Sequence, residues 1–213
     1  MPIRGTIKIE GTAGQATDQA TKRFASMNLF MQIIVLAMSA GGIGFAIAYI
    51  FGIIPMQSTQ YYFLLMAMYL PLVYLLMPAS AAEKKISWFN YVLAAIAFIT
   101  TFFMSTQAMT LLYQGWIPPT KWWQLVIAIT LLLLVLEAAR RSGGPIYLVV
   151  VVLFAFYPAI ADKMPGMFWG PSFPLTRTLG YSAFSSEALL GIPTRITGET
   201  LIGFLIFAAL IIA

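Results

Sequence analysis

The chain has 213 residues, of which 61% are apolar and only 9% charged, with a formal net charge of +5. Soluble domains run at about 45–50% apolar and about 25% charged, so the chain cannot cover a water-soluble surface and reads as an integral membrane protein. It has no Cys and no His, which excludes disulfides, thiolate nucleophiles, Cys-ligated zinc, imidazole metal or haem ligands and Ser-His-Asp catalysis.

Seven carboxylates remain, Glu10, Asp18, Glu83, Glu137, Asp162, Glu187 and Glu199. They are scattered along the chain. No enzyme is expected, and a transport, channel or scaffolding part is left.

Met1 to Ser26 is a polar leader with Arg4, Lys8, Lys22 and Arg23. It reads as a mobile cytoplasmic tail, with a short interfacial helix near Thr21–Asn28 as the alternative. A hydrocarbon core of roughly 30 Å needs about 20 apolar residues as helix. Six runs approach that length: Leu29 to Ile54, Tyr61 to Met77, Tyr91 to Tyr113, Trp122 to Ala139, Ile146 to Ala161 and Leu201 to Ala213. None alternates at period two as a membrane β-barrel strand does. The expected fold is all-α, with about six transmembrane helices, the first four packed as an up-down bundle. Between the last two runs, Asp162 to Thr200 is rich in Pro and Gly and then in Ser and Thr. This is too long for an idle loop, and Leu179 to Leu190 is expected to lie as an amphipathic helix along the outer interface.

The Lys/Arg balance sets the orientation. With the N-terminus inside, Arg4, Lys8, Lys22, Arg23, Lys84, Lys85, Arg140 and Arg141 face inward, against Lys121, Lys163, Arg177 and Arg195 outside. Tryptophans fit as belt anchors, Trp88 at the inner interface and Trp116, Trp122, Trp123 and Trp169 at the outer. The N-terminus is therefore expected in the cytoplasm.

Several residues stand out within this frame. Glu137 lies three and four residues before Arg140 and Arg141, so both pairs can meet on one helix face. They form either an interface anchor, with the arginines snorkelling to headgroups, or an intersubunit ion pair. Ala40, Gly44 and Ala48 recur at intervals of four, with Ala37 and Gly41 on an adjoining row, and small residues so spaced let helix backbones approach closely. Thr100, Thr101, Ser105, Thr106 and Gln107 on the third run either bond to carbonyls of their own turn or a neighbour, or line a pathway. Gly191-Ile192-Pro193 favours a helix break. With Thr194 and Thr197 beside it, Gly191 is a weak candidate for a Na⁺ site, since transporters hold Na⁺ at broken helices; a turn into a membrane helix is the plainer reading. No charged side chain stands at the centre of any span, which argues against a proton relay within these helices.

The order of these features resembles a known family. The fourth run ends in Leu131-Leu132-Leu133-Leu134-Val135-Leu136-Glu137-Ala138-Ala139-Arg140-Arg141, and a Gly/Pro-led fifth run follows. Glu187-Ala188-Leu189-Leu190-Gly191-Ile192-Pro193 then leads into an apolar run with Phe204 and Phe207, while Trp88-Phe89-Asn90-Tyr91 opens the third run behind a basic loop. From about Met27 onward this resembles the N-terminal part of a fused permease of the TRAP family (tripartite ATP-independent periplasmic transporters), of the TAXI type. The resemblance implies a Na⁺-coupled secondary importer of organic anions in the bacterial or archaeal cytoplasmic membrane, fed by an extracytoplasmic binding protein. Residues 1–26 would be the cytoplasmic tail and residues 27–141 a four-helix bracing part. Residues 142–213 would hold the fifth span, the outer segment and the start of a larger transport part, continued in the same polypeptide or a separate chain. Na⁺ would be the coupling ion, with no cofactor. The partners implied are the large permease part, the binding protein and the bilayer, and not nucleic acid. A membrane anchor or assembly subunit of an unrelated complex is the competing reading.

Overall fold

The computed structural model describes residues 19–80, 83 and 86–212. Every regular element among them is helical. In chain order these are α1 (19–26), α2 (Leu29–Ile50), α3 (Ser58–Leu76), α4 (Trp88–Gln114) and α5 (Trp122–Ile160). After two short 3₁₀ turns come α6 (Leu175–Phe184) and α7 (Ile192–Arg195), which runs through a π-helical turn (Ile196–Leu201) into α8 (Ile202–Ile212). The helices Leu29–Ile50, Ser58–Leu76, Trp88–Gln114 and the one beginning at Trp122 are long and apolar enough to cross a membrane.

These helices owe little to capping: Asn28, Gln57 and Ser87, which precede α2, α3 and α4, make no side-chain cap. Apolar sequence suffices where backbone groups have no water to bond and must satisfy one another, even with Pro71 inside α3. The exception is α5, whose start is tied by the buried Gln124 amide: its Oε1 accepts from the N–H groups of Thr120 (2.9 Å) and Lys121 (3.0 Å).

At 39 residues, α5 would run about 58 Å if straight, but it is broken at Gly144 (φ 79°, ψ −177°), directly before Pro145. Only glycine enters that conformation without strain. The ten-residue α6 touches both ends of the long helix. Gly180 packs against Pro119, just before α5, while the Ser182 hydroxyl donates to the Ala155 carbonyl at 2.8 Å, near its end. The two arms of α5 therefore double back at Gly144. The fourth and fifth apolar runs are these two arms.

α3 is the central helix. It packs most extensively on α4 and also meets α2 and α5. Its buried side chains serve two cores. Tyr61, Tyr62, Phe63 and Leu65 join Leu111, Trp116, Phe184 and Leu190 at one end, which we term the tryptophan end. Leu72, Tyr74 and Leu75 join Met27, Val35, Ala97 and Leu134 at the other, the basic end.

Four expectations need correction. The chain around Arg23 is helix α1 rather than a mobile tail, because the Arg23 side chain is buried against Glu83; residues 1–18 lie outside the described residues. Trp116 is no belt anchor: it is 2% exposed, packed edge-on against Trp123 and Phe184. The outer-segment helix starts after Pro174 and ends at Phe184, earlier than Leu179–Leu190, since Ser185 to Leu190 fold into turns. The small-residue row is the fourth.

Within this chain Ala40 and Gly44 face outward and Ala48 is half-buried, while Gly42 and Ala46 are the buried pair. Gly42 meets the Tyr69 ring so closely that a Cβ there would lie 2.8 Å from it, whereas one on Gly44 would meet nothing within 4 Å. α2 is apolar on all sides, so periodicity cannot select which of its interleaved small-residue rows faces α3.

Candidate functional site: a charged clasp at the basic end

Helical spacing places the Glu137 carboxylate within reach of both following arginines. It receives Arg140 in a two-pronged pair, Nε to Oε2 and Nη2 to Oε1, each at 2.7 Å, and Arg141 Nε at 2.7 Å. Such planar pairs are among the strongest charge-assisted bonds. The triad also reaches other helices. Arg140 Nη1 donates to the Ala79 carbonyl (3.0 Å) beyond α3, and Arg141 Nη1 to Asn90 Oδ1 (2.9 Å) on α4. The Arg141 side chain is 1% exposed, and its guanidinium lies 5.0 Å from the centre of the Tyr74 ring, a cation–π contact. The Tyr74 hydroxyl in turn donates to the Leu134 carbonyl of α5.

The network extends to the loop between α3 and α4. Asn90 Nδ2 donates to Glu83 Oε1 at 2.7 Å, the Ala79 N–H to Glu83 Oε2 at 2.8 Å, and Arg23 of α1 pairs with Glu83 at 3.1 Å. Burial pushes the Glu83 carboxyl up, but these donors outweigh it and hold it below its ordinary value. One chain of contacts thus joins α1, the α3–α4 loop, α4 and the first arm of α5. Three guanidinium groups face two carboxylates, leaving one positive charge in excess. These contacts tie the ends of several helices to one another.

Sequence reasoning found Glu137, Arg140 and Arg141 through their spacing. It missed Asn90 as a partner of Arg141 and the Arg23–Glu83 pair beyond it, because those contacts join residues 51 and 60 apart along the chain. Three hydroxyls of α4 bond to carbonyls: Thr101 to Ala97 (2.6 Å), Thr106 to Phe103 (2.7 Å), and Ser105 across to Gln60 of α3 (3.1 Å).

At the tryptophan end a second clasp closes on the π-helical turn. Tyr61 donates to the Gly198 carbonyl and Tyr62 to Glu199 Oε1, both at 2.6 Å, while Tyr49 stacks on Tyr61 with centroids 3.7 Å apart. π-helical turns within α-helices frequently mark functional positions. Gly191 and Thr194 fall in one turn beside it, each bonded locally. The Gly191 carbonyl accepts from the Arg195 N–H (3.0 Å), and the Thr194 hydroxyl donates to the Leu189 carbonyl. Thr197 is likewise engaged.

No family model, curated protein or solved structure matches this chain.

Proposed function

We propose that the chain is a membrane subunit, mainly bracing, of a Na⁺-coupled secondary importer of organic anions fed by an extracytoplasmic binding protein. One observation carries the reading. Two of the stretches on which the family resemblance rests, Trp88-Phe89-Asn90-Tyr91 and the Glu137-to-Arg141 end of the fourth run, meet through Arg141 and Asn90 at 2.9 Å, inside a clasp that binds four elements together. A part that stays still while another moves needs such cross-links between its elements. On this reading α2, α3, α4 and the two arms of α5 are five spans and α8 begins a sixth. The basic end is cytoplasmic by the Lys/Arg rule, and the segment from Asp162 to Thr200 faces outward, where a soluble partner docks.

The test is purification of the full chain from its native membranes in mild detergent, with identification of what accompanies it. A multi-span permease part and a secreted binding protein support the reading. An unrelated complex without either overturns it in favour of the anchor role. The protein alone, reconstituted in liposomes with an inward Na⁺ gradient, is expected to take up no organic acid; uptake without a partner contradicts the bracing role.

A further inference from the structure

A groove of about 580 Å³ opens on the side of the bundle below the charged clasp. This is within the range of about 300–1,000 Å³ typical of ligand sites. Phe89, Leu93 and Ile96 of α4 form one wall, Leu133 and Leu136 of the first arm of α5 the other, and Leu148 of the second arm closes one edge. From Glu137 at its mouth to Thr130 it follows seven residues of helix, about 10 Å, all within a stretch apolar enough to lie in a bilayer.

The mouth has a distinct chemistry. Glu137 is already neutralised by two arginines. Arg140, 38% exposed and bonded to Glu137 at that mouth, spends three of its five N–H groups on Glu137 and the Ala79 carbonyl, leaving two for another acceptor. An apolar slot about two-thirds of a leaflet deep beneath an exposed guanidinium matches the upper part of an acyl chain beneath a phosphate, and Arg is the side chain best suited to a phosphodiester. We propose that this groove is a binding site for an anionic phospholipid, one acyl chain lying between α4 and α5 and the phosphate on Arg140. The positive excess of the clasp selects phosphatidylglycerol over a zwitterionic lipid. The inference rests on the membrane reading of the chain, and not on transport.

The test uses the full chain in phosphatidylcholine nanodiscs containing a trace of either phosphatidylglycerol or phosphatidylcholine with a photoreactive acyl chain, and maps cross-linked peptides by mass spectrometry. Carbonate-resistant membrane association, measured first, is the check on the membrane reading itself. The phosphatidylglycerol probe is expected to label Phe89–Ile96 and Leu133–Leu136 about fivefold more than the phosphatidylcholine probe does, and more than it labels the more exposed Leu29–Leu36 face of α2. Ile96→Trp, which fills the slot and leaves the charges alone, should bring groove labelling down to the α2 level. Leu133→Trp, at a position 61% exposed and tolerant of size, serves if Ile96→Trp does not fold. Arg140→Gln should erase the preference between the probes. Even labelling of all apolar faces, equal labelling by the two probes, or an unlabelled groove beside a labelled α2 face, as when a protein helix occupies it, each overturns the proposal.

Discussion

The two ends of the bundle are held by different chemistry. The basic end is closed by ions: Arg23, Glu83, Glu137, Arg140 and Arg141 are joined through the amide of Asn90. The tryptophan end is closed by rings, Trp116 between Trp123 and Phe184 and Tyr49 upon Tyr61, with neutral tyrosine hydroxyls on Gly198 and Glu199. A clasp of ions is strong where its members are buried together but fails when one partner is removed, because the other charge is stranded. A clasp of rings loses stability in proportion to the contact removed. The same helices thus carry one brittle end and one graded end.

The largest effect is expected from Glu137→Ala, which strands the buried Arg141 with only Asn90 and the Tyr74 face. Thermal unfolding in detergent should show a loss of about 3 kcal/mol. A loss below about 1 kcal/mol would mean that the ion network is decorative. Next is Tyr61→Phe, which leaves the Gly198 carbonyl without its donor. A loss of about 1.5 kcal/mol is expected, and the aromatic stack on Tyr49 should survive it, as near-ultraviolet circular dichroism would show. Ala46→Leu puts a larger side chain where there is no exposure and should cost about 1–3 kcal/mol by overpacking. Gly44→Leu, at an open position, should be near neutral. The opposite ranking would move the α2–α3 contact to the Ala40–Gly44–Ala48 row.

Acid separates the two ends more gently. The Glu83 carboxyl is held below its ordinary value near 4.5 by its donors, so its contribution is present in full above about pH 4.5 and fades as pH falls through the lower folded value. Unfolding temperature followed from pH 6 to pH 3 should fall for the parent and fall less for Glu83→Gln. Identical slopes would remove Glu83 from the clasp. The smallest effect is expected from Arg195→Ala: its side chain is 73% exposed and pairs with Glu199 at 3.4 Å, and exposed pairs contribute about 0–1 kcal/mol.

The helices themselves were legible in composition and run length, because a chain this apolar has few other ways to satisfy its backbone. The Glu137–Arg140–Arg141 triad was legible for a local reason, since contacts three and four residues apart follow from helix geometry alone. Its partners were not. Nothing in the sequence ties Arg23 to Glu83 or Arg141 to Asn90 until α3 and α4 pack and bring their ends together. The face of α2 was illegible for another reason. Its small residues form several interleaved rows on a helix apolar all round, and only the approach of Tyr69 to Gly42 distinguishes them. The hold of Tyr61 and Tyr62 on the π-helical turn spans 137 residues, beyond any spacing argument.

On the proposed reading the two ends lie on opposite sides of a membrane, ions within and rings without. With no native Cys, single cysteines report this directly. Ser142 stands beside the Gly144 break at the basic end, Ser172 follows the second arm at the tryptophan end, and both are exposed. An impermeant thiol reagent applied to intact cells should label Ser172→Cys and leave Ser142→Cys protected until the membrane is opened. Labelling of Ser142→Cys with protection of Ser172→Cys would invert the protein, and labelling of both on intact cells would place the two ends on one side; either contradicts the account.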